Sequence, residues 1–152
     1  MIEERLKDLG YTLPEGPFPE YPFASVLIYE GMGYVSGTLP YVDGKLPKTG
    51  QCGKDVSIEE GQKLAETCVL NALAQLKRSL GSLDNIKQFI KVTGFISSAD
   101  EFTQQGAVLN GATELLIDIF GDKGKHARSA VGTPVMPGGT PVEIEFIVAV
   151  DQ

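Results

Sequence analysis

Three charged residues lie near the end of this chain, in a stretch whose pattern otherwise predicts sheet. Arg128 lies in the segment HARSAV, and Glu143 and Glu145 alternate with apolar residues in PVEIEFIV. A guanidinium group and two carboxylates can pair with one another, or they can act on a small anionic molecule. Because structural ion pairs also produce such clusters, the pattern alone favours a salt bridge between subunits.

The histidine and the two cysteines are weaker candidates for chemistry. His126 lies close to Ser129, but this spacing is too short for a catalytic triad and no third member is evident. We therefore expect His126 to face solvent in a loop. Cys68 falls in a helical pattern and is predicted to fill the core, whereas Cys52 falls in a Gly-rich loop and is predicted to be an exposed thiol. Two such cysteines indicate a reducing compartment.

Charge and motif spacing argue against several kinds of partner. The formal net charge of −7 at pH 7 opposes binding to a phosphate backbone. The segments EGMGYVSG and GDKGKHAR lack the spacing of dinucleotide and P-loop sites. The N-terminal segment is too charged for a signal peptide, and no apolar run has membrane length. We expect a cytoplasmic protein that binds neither nucleic acid nor membrane.

Periodicity predicts the order of the secondary structure. A length of 152 residues is typical of a single domain, here 1–152, in which 1–22 form a short helix and an extended lead-in. Ser57 with Glu60 matches a capping box for a long helix that ends at Gly81. A second long helix is predicted from about residue 100 or 103 to Phe120. The order is ββαβαββ, with predicted strands at 24–30, 33–40, 86–97, 128–136 and 142–150.

The two long helices can cover one face of a mostly antiparallel sheet, so the predicted fold class is α+β. In the last strand Glu143 and Glu145 point away from the helices, because the apolar residues alternate with them. If the last two strands form a hairpin in which even-numbered residues pair with odd-numbered ones, so that the paired numbers sum to an odd value, Arg128 lies on the same face as these glutamates. A slip of one residue would reverse this arrangement. An uncovered, half-apolar face indicates a homo-oligomer.

Beyond these patterns, the sequence resembles the Rid family of reactive intermediate deaminases, also called YjgF proteins or L-PSP endoribonucleases. The resemblance covers nearly all of the chain after the first helix and depends on the order and spacing of several segments. It implies a chorismate-mutase-like fold, in which three subunits join their sheets in a central barrel and bind ligands in clefts between subunits. The matching segments are VSGTLP at 35–40, LDNIKQFIKVTGFI at 83–96, VLNGATELL around Asn110, ARSAV at 127–131 and PVEIEFIV at 141–148.

The resemblance also implies roles for particular residues. Arg128 matches the arginine that binds a substrate carboxylate. A guanidinium group is suited to this role because it can donate two charge-assisted hydrogen bonds to one carboxylate. Glu143 matches the glutamate that positions a water, with Glu145 as the fallback. The other matches to the ligand cleft are Ser36, Gly37, Gly94, Phe95 and Asn110.

Two positions in the substrate site depart from the deaminating members of the family. Ala130 stands where those members carry cysteine, and Phe23 aligns with a tyrosine of the lead-in. If the backbone N–H at position 130 makes the polar contact in the site, alanine at this position lowers activity little. If the cysteine thiol or the tyrosine hydroxyl is required, its loss at Ala130 or Phe23 lowers activity. These departures indicate a divergent subgroup.

The reaction implied by the resemblance is hydrolysis of a reactive 2-imino or enamino acid to a 2-keto acid and ammonia. Arg128 would anchor the carboxylate and Glu143 would move the proton, so no metal or organic cofactor is required. The alternative is a non-catalytic regulator that binds 2-keto acids, which Ala130 and Phe23 favour. The family's older name suggests a ribonuclease or translation inhibitor, but the acidic charge and the single histidine weigh against this function.

Overall fold

The computed structural model describes residues 1–151, so the predicted domain end at Gln152 lies outside the described residues. After a short N-terminal helix, two long helices and five strands follow in the predicted order ββαβαββ. The elements are α1, Ile2–Asp8; β1, Val26–Tyr29; β2, Met32–Thr38; α2, Ile58–Leu80; β3, Ile86–Ser97; α3, Gln105–Phe120; β4, Ala127–Thr133; and β5, Val142–Val150.

Local signals in the sequence define the ends of the long helices. The Ser57 side chain accepts the Glu60 N–H at 3.1 Å, and the Glu60 carboxylate accepts the Ser57 N–H at 3.0 Å. This confirms the capping box, which satisfies two otherwise unpaired N–H groups of the first turn. Gly81 ends α2 at a φ of 83°, as predicted. The α3 helix begins at Gln105, slightly later than predicted, and ends before Gly121.

The five strands form one mixed sheet in the order β1-β2-β5-β3-β4. All neighbouring pairs are antiparallel except β3 and β4, which are parallel. The predicted hairpin between the last two strands is therefore wrong, because β3 lies between β4 and β5. The physical reason is the crossover: α3 returns the chain to the start of β3, as a parallel pair requires, and residues 134–141 then pass the end of β3 to reach β5.

The two long helices cover one face of this sheet, as predicted. The apolar residues predicted to face the helices from β5 are buried: Val142, Ile144, Phe146, Val148 and Val150. We call the other side the open face. Strand register and side-chain alternation place on it Leu27, Tyr29, Tyr34, Lys91, Thr93, Phe95, Ser129, Val131, Glu143, Glu145, Ile147 and Ala149.

The open face has an apolar half and a polar half. Leu27, Tyr29 and Tyr34 are 59%, 66% and 46% exposed within one chain, and Ile147 lies beside Tyr34. The glutamates lie toward the other end of β5. Among the described helices, none is both long enough and apolar enough to cross a bilayer.

Candidate functional site

Glu143 lies on the open face between residues of two neighbouring strands. Phe95 of β3 is its cross-strand partner. On the other side the Glu143 carboxylate lies against Gly37, so closely that a Cβ at this glycine would collide with Glu143 Oε2. The register between β2 and β5 shifts between Val35 and Thr38, and Gly37 lies within this irregular segment. Three predicted site residues, Gly37, Phe95 and Glu143, are thus brought together.

The environment of Glu143 changes its acidity. Burial raises the pKa of this half-buried carboxyl, and the negative charge of Glu145 raises it further. Glu145, the fallback candidate, is exposed and pairs with Thr93 of β3. A carboxyl group with a raised pKa suits proton donation in one step and proton acceptance in another. The geometry and the acidity both favour Glu143 over Glu145.

Ser36 and Phe23 lie where the lead-in joins β2. The Ser36 hydroxyl donates to the Ala24 carbonyl at 2.7 Å, and the Ser36 N–H donates to the Ser25 carbonyl at 3.0 Å. Phe23 immediately precedes this segment and is exposed, with its ring stacked on Tyr21 at a centroid distance of 4.9 Å. The Ser36 hydroxyl therefore anchors the lead-in, and Phe23 presents an aromatic surface near the Ser36–Gly37 segment.

Arg128 lies on the opposite side of the sheet from Glu143. Its Nη1 donates to Thr113 Oγ1 at 3.1 Å and its Nη2 donates to the Gly106 carbonyl at 3.2 Å, so the side chain is directed toward α3. The predicted sharing of one face by Arg128 and the glutamates is wrong. Arg128 is paired in register with Val92 of β3. Paired residues of parallel strands direct their side chains to the same side of the sheet, so Arg128 lies on the same side as the buried Val92.

The Arg128 guanidinium is not neutralised within the described chain. Ion pairs within 4.0 Å among residues 1–151 join Lys48 to Glu60 and Lys125 to Asp122. A salt bridge from Arg128 to Glu143 or Glu145 is therefore not formed within one described chain. Since a guanidinium carries five N–H donors and two hydrogen bonds are made here, donors remain for an anion.

Three more predicted site residues lie on the helix side with Arg128. Ala130 packs partly against the core. Gly94 is registered with Ala130 and lies beneath Leu109 of α3, whose Cδ1 would be 2.6 Å from an added Cβ. Asn110 lies on α3 between Gly106 and Thr113, at a spacing that puts all three on one helix face. The predicted site residues thus form two groups on opposite sides of the sheet.

Two residues near Arg128 were missed by the sequence reasoning. His126 is half-buried, with Nδ1 2.7 Å from the Gly124 carbonyl and Nε2 3.0 Å from Thr113 Oγ1. The expectation of a solvent-facing histidine is wrong. Burial lowers the pKa of His126, the Arg128 charge lowers it further, and the bond to Gly124 acts in the opposite direction. Helical spacing from Asn110 could have indicated Thr113, whereas no local signal connects Thr113 to His126.

Both cysteines are buried. Cys68 is 0% exposed, which confirms its predicted place in the core. Cys52 is also 0% exposed, so the expectation of an exposed thiol is wrong. The Cys52 backbone bonds to Ser97 and Ala99 at the end of β3, and burial raises the pKa of its thiol to about 11. Within the part of the chain that the structure describes, no three His, Cys, Asp or Glu side chains are grouped to hold a metal ion.

Comparisons with known proteins agree with this architecture. Residues 3–148 match the model of a family described as "YjgF/chorismate_mutase-like, putative endoribonuclease". Protein TCP17 of Trypanosoma cruzi is 36% identical over 99% of this chain and 95% of its own length. The structure of Atu1372, a protein of unknown function from Agrobacterium tumefaciens, has a TM-score of 0.91 and 43% identity, covering 99% of this chain and 92% of that one. A Shewanella oneidensis protein named "putative endoribonuclease" has a TM-score of 0.93 and 33% identity, with 99% of both chains covered. The chain therefore belongs to the YjgF family, which is also called the Rid family.

Proposed function

We propose that this chain forms a homotrimer that hydrolyses reactive 2-imino or enamino acids to 2-keto acids and ammonia without a cofactor. One observation carries the proposal. A carboxyl with a raised pKa, Glu143, lies against Gly37 and Phe95 on the open face. On the edge strand β4 lies Arg128, an arginine that has no carboxylate partner among residues 1–151. These are the two kinds of group that the reaction requires.

The positions of these groups favour a site shared between subunits. Arg128 and Glu143 of one chain lie on opposite faces, with β3 between their strands. Two strand spacings amount to about 10 Å, which is too far for one small 2-imino acid to contact both side chains across the sheet. β4 is an edge strand, so an arginine on it can reach Glu143 of a neighbouring subunit that covers the open face.

The chemistry of the proposed site is proton transfer around a held carboxylate. Arg128 binds the substrate carboxylate through charge-assisted hydrogen bonds. Ionised Glu143 takes a proton from water as its oxygen adds to the imine carbon. Glu143 returns that proton to the imine nitrogen, which gives a carbinolamine. Glu143 then takes the proton of the new hydroxyl group and delivers it to the amine nitrogen, so that the C–N bond breaks as the C=O bond forms and ammonia leaves the 2-keto acid. Positioned proton transfer of this kind contributes about 10²–10⁴-fold.

The first prediction concerns Arg128→Ala, which should abolish imine hydrolysis while the oligomer stays intact. The measurement is the decay of imines generated in situ by an amino-acid oxidase, together with the mass of the assembly in solution. Arg78→Ala is the matched control, because Arg78 is exposed on α2 and lies 5.2 Å from the Phe18 ring centroid, away from β4. Imine decay that is unchanged by micromolar wild-type protein would overturn the enzyme proposal. Dissociation of Arg128→Ala with normal ligand binding would assign this arginine a structural role.

A non-catalytic 2-keto acid sensor is the second candidate, and the residues Ala130 and Phe23 favour it. Tight binding of 2-keto acids without acceleration of imine decay would support this alternative. An RNA-cleaving function, suggested by the names of the family and of the Shewanella relative, is the least favoured. It would require RNA cleavage that persists through purification and disappears in Arg128→Ala.

A further inference from the structure

Arg128 is held by a chain of hydrogen bonds that extends beyond its own strand. Its Nη1 donates to Thr113 Oγ1 at 3.1 Å, and the same hydroxyl lies 3.0 Å from His126 Nε2. The other nitrogen of that ring, Nδ1, lies 2.7 Å from the Gly124 carbonyl. Three elements thus meet at one hydroxyl group: β4, α3 and the turn that joins them.

The direction of each bond follows from the chemistry of the groups. A carbonyl oxygen only accepts, so His126 Nδ1 must carry the hydrogen that is donated to Gly124. In neutral histidine the other nitrogen, Nε2, is then an acceptor, and it takes the single hydrogen of the Thr113 hydroxyl. The oxygen of Thr113 is left with lone pairs for Arg128 Nη1. Neutral His126 therefore orients Thr113 to accept from the arginine.

We propose that Thr113 and His126 are positioning residues for Arg128, holding its guanidinium in place so that the remaining N–H groups can bind a substrate carboxylate. This inference rests on the proposed function. The Gly106 carbonyl fixes the second arm of the guanidinium at 3.2 Å. With both arms fixed, the arginine loses less side-chain freedom when it binds an anion, which increases affinity.

Protonation of His126 would disturb this arrangement. A charged imidazole donates from both nitrogens, so Nε2 could no longer accept from Thr113, and two cations would share one hydroxyl oxygen. Because burial lowers the pKa of His126, the neutral form that orients Thr113 predominates at neutral pH. The hydrogen bond from Arg128 to the oriented Thr113 hydroxyl is present above the lowered pKa of His126 and is lost as the pH falls through that pKa.

Besides Arg128, the charged and polar groups around His126 come from three elements: the turn, α3 and β3. The turn contributes Asp122, Lys123 and Lys125, which are exposed, and Asp122 pairs with Lys125 at 3.1 Å. From α3, Glu114 is exposed. β3 contributes the neutral Gln88, whose amide donates to carbonyls of the turn. Arg128 is the charged group that shifts the pKa of His126, and no carboxylate of residues 1–151 lies within 4.0 Å of its ring.

The second prediction is that Thr113→Val weakens pyruvate binding and raises KM for the imine by about tenfold, the loss expected for one hydrogen bond to a charged group. The kcat should change little, because the arginine binds substrate and transition state alike. Thr113→Ser should restore binding, since it keeps the hydroxyl. Thr67→Val is the matched control, because the Thr67 hydroxyl donates to the Lys63 carbonyl of its own helix. Equal pyruvate affinity in wild type and Thr113→Val would overturn the inference.

The pH profile gives a second test of the same inference. Pyruvate binding by the wild type should weaken below about pH 6.5, the ordinary range for histidine, and this inflection should be absent in His126→Phe. A wild-type protein that binds no 2-keto acid and hydrolyses no imine would refute the proposed function. The positioning role would then be decided by ¹⁵N NMR of the arginine side chain. Slow exchange of the Arg128 Nη groups in wild type that becomes fast in Thr113→Val supports it, and equal exchange in both overturns it.

Discussion

At the residue scale, the acidity of Glu143 depends on where its carboxyl group lies. The same residue type two positions along, Glu145, is exposed, whereas Glu143 is half-buried between Phe95 and Gly37. Burial disfavours the ionised form and the neighbouring charge of Glu145 adds to this effect. The raised pKa therefore has a consequence for stability as well as for catalysis.

The third prediction is that Glu143→Gln increases the free energy of unfolding at pH 7.5 but not at pH 4. The pKa of Glu143 in the folded state is raised above its ordinary value of 4.5, so the stability of the wild type relative to Glu143→Gln is highest below pH 4.5. The wild type loses this relative stability as the pH rises through the raised pKa. Glutamine has no charge to bury and does not show this loss.

Urea denaturation at the two pH values and at one protein concentration would test this prediction. Glu20→Gln is the control, because Glu20 is exposed in the lead-in and should give the same small difference at both pH values. A Glu143→Gln variant that matches the wild type at pH 7.5 would contradict the raised pKa.

At the element scale, the close approach of α2 and α3 depends on glycine. Gly111 of α3 is buried against the backbone of Gln62 in α2, and an added Cβ would collide with the Gln62 carbonyl oxygen. Backbone atoms cannot turn aside as a flexible side chain can. This contact fixes the distance between α2 and α3. It therefore also fixes the position of Thr113, which follows Gly111 in the same turn of α3.

The fourth prediction is that Gly111→Ala lowers the free energy of unfolding by about 1–3 kcal/mol, the usual cost of overpacking a core. Gly106→Ala is the matched control in the same helix, because its added methyl would meet the end of a side chain, Arg128 Nη2, at 3.3 Å. This control should remain within about 1 kcal/mol of the wild type. If both variants lose equal stability by urea denaturation, the close approach of the helices is not the cause.

At the scale of the whole molecule, the open face leaves apolar side chains exposed in one chain. Leu27, Tyr29 and Tyr34 together form a surface that a neighbouring subunit can bury. The proposed trimer uses this face and would bring Glu143 of one subunit near Arg128 of another. Assembly and activity are therefore expected to depend on the same surface.

The fifth prediction is that Tyr34→Glu dissociates the proposed homotrimer and abolishes the proposed imine hydrolysis, since a buried carboxylate would lack a partner in the interface. Analytical ultracentrifugation would report the change from three times the chain mass to the mass of one chain. Ile117→Glu is the control, because Ile117 is exposed on α3, away from the open face. A variant with Tyr34→Glu that remains trimeric would show that the interface lies elsewhere.

The sequence by itself determined the features that depend on neighbouring residues. It predicted the extent of β3, the capping box at Ser57, the end of α2 at Gly81 and the alternation of β5, all of which the structure confirms. Caps and periodicity act over a few residues, so they can be read along the chain. The motif segments likewise identified the family.

Only the tertiary structure decided which strand pairs with β4. Residues 134–141 can close a hairpin or pass the end of β3, and nothing local distinguishes these paths. The observed parallel pairing turns Arg128 toward α3 and brings His126 to Thr113. Strand pairing is decided by contacts between distant segments, and a change of partner or register can move a side chain to the other face. The division of the candidate site between two sides of the sheet therefore could not be derived from the sequence.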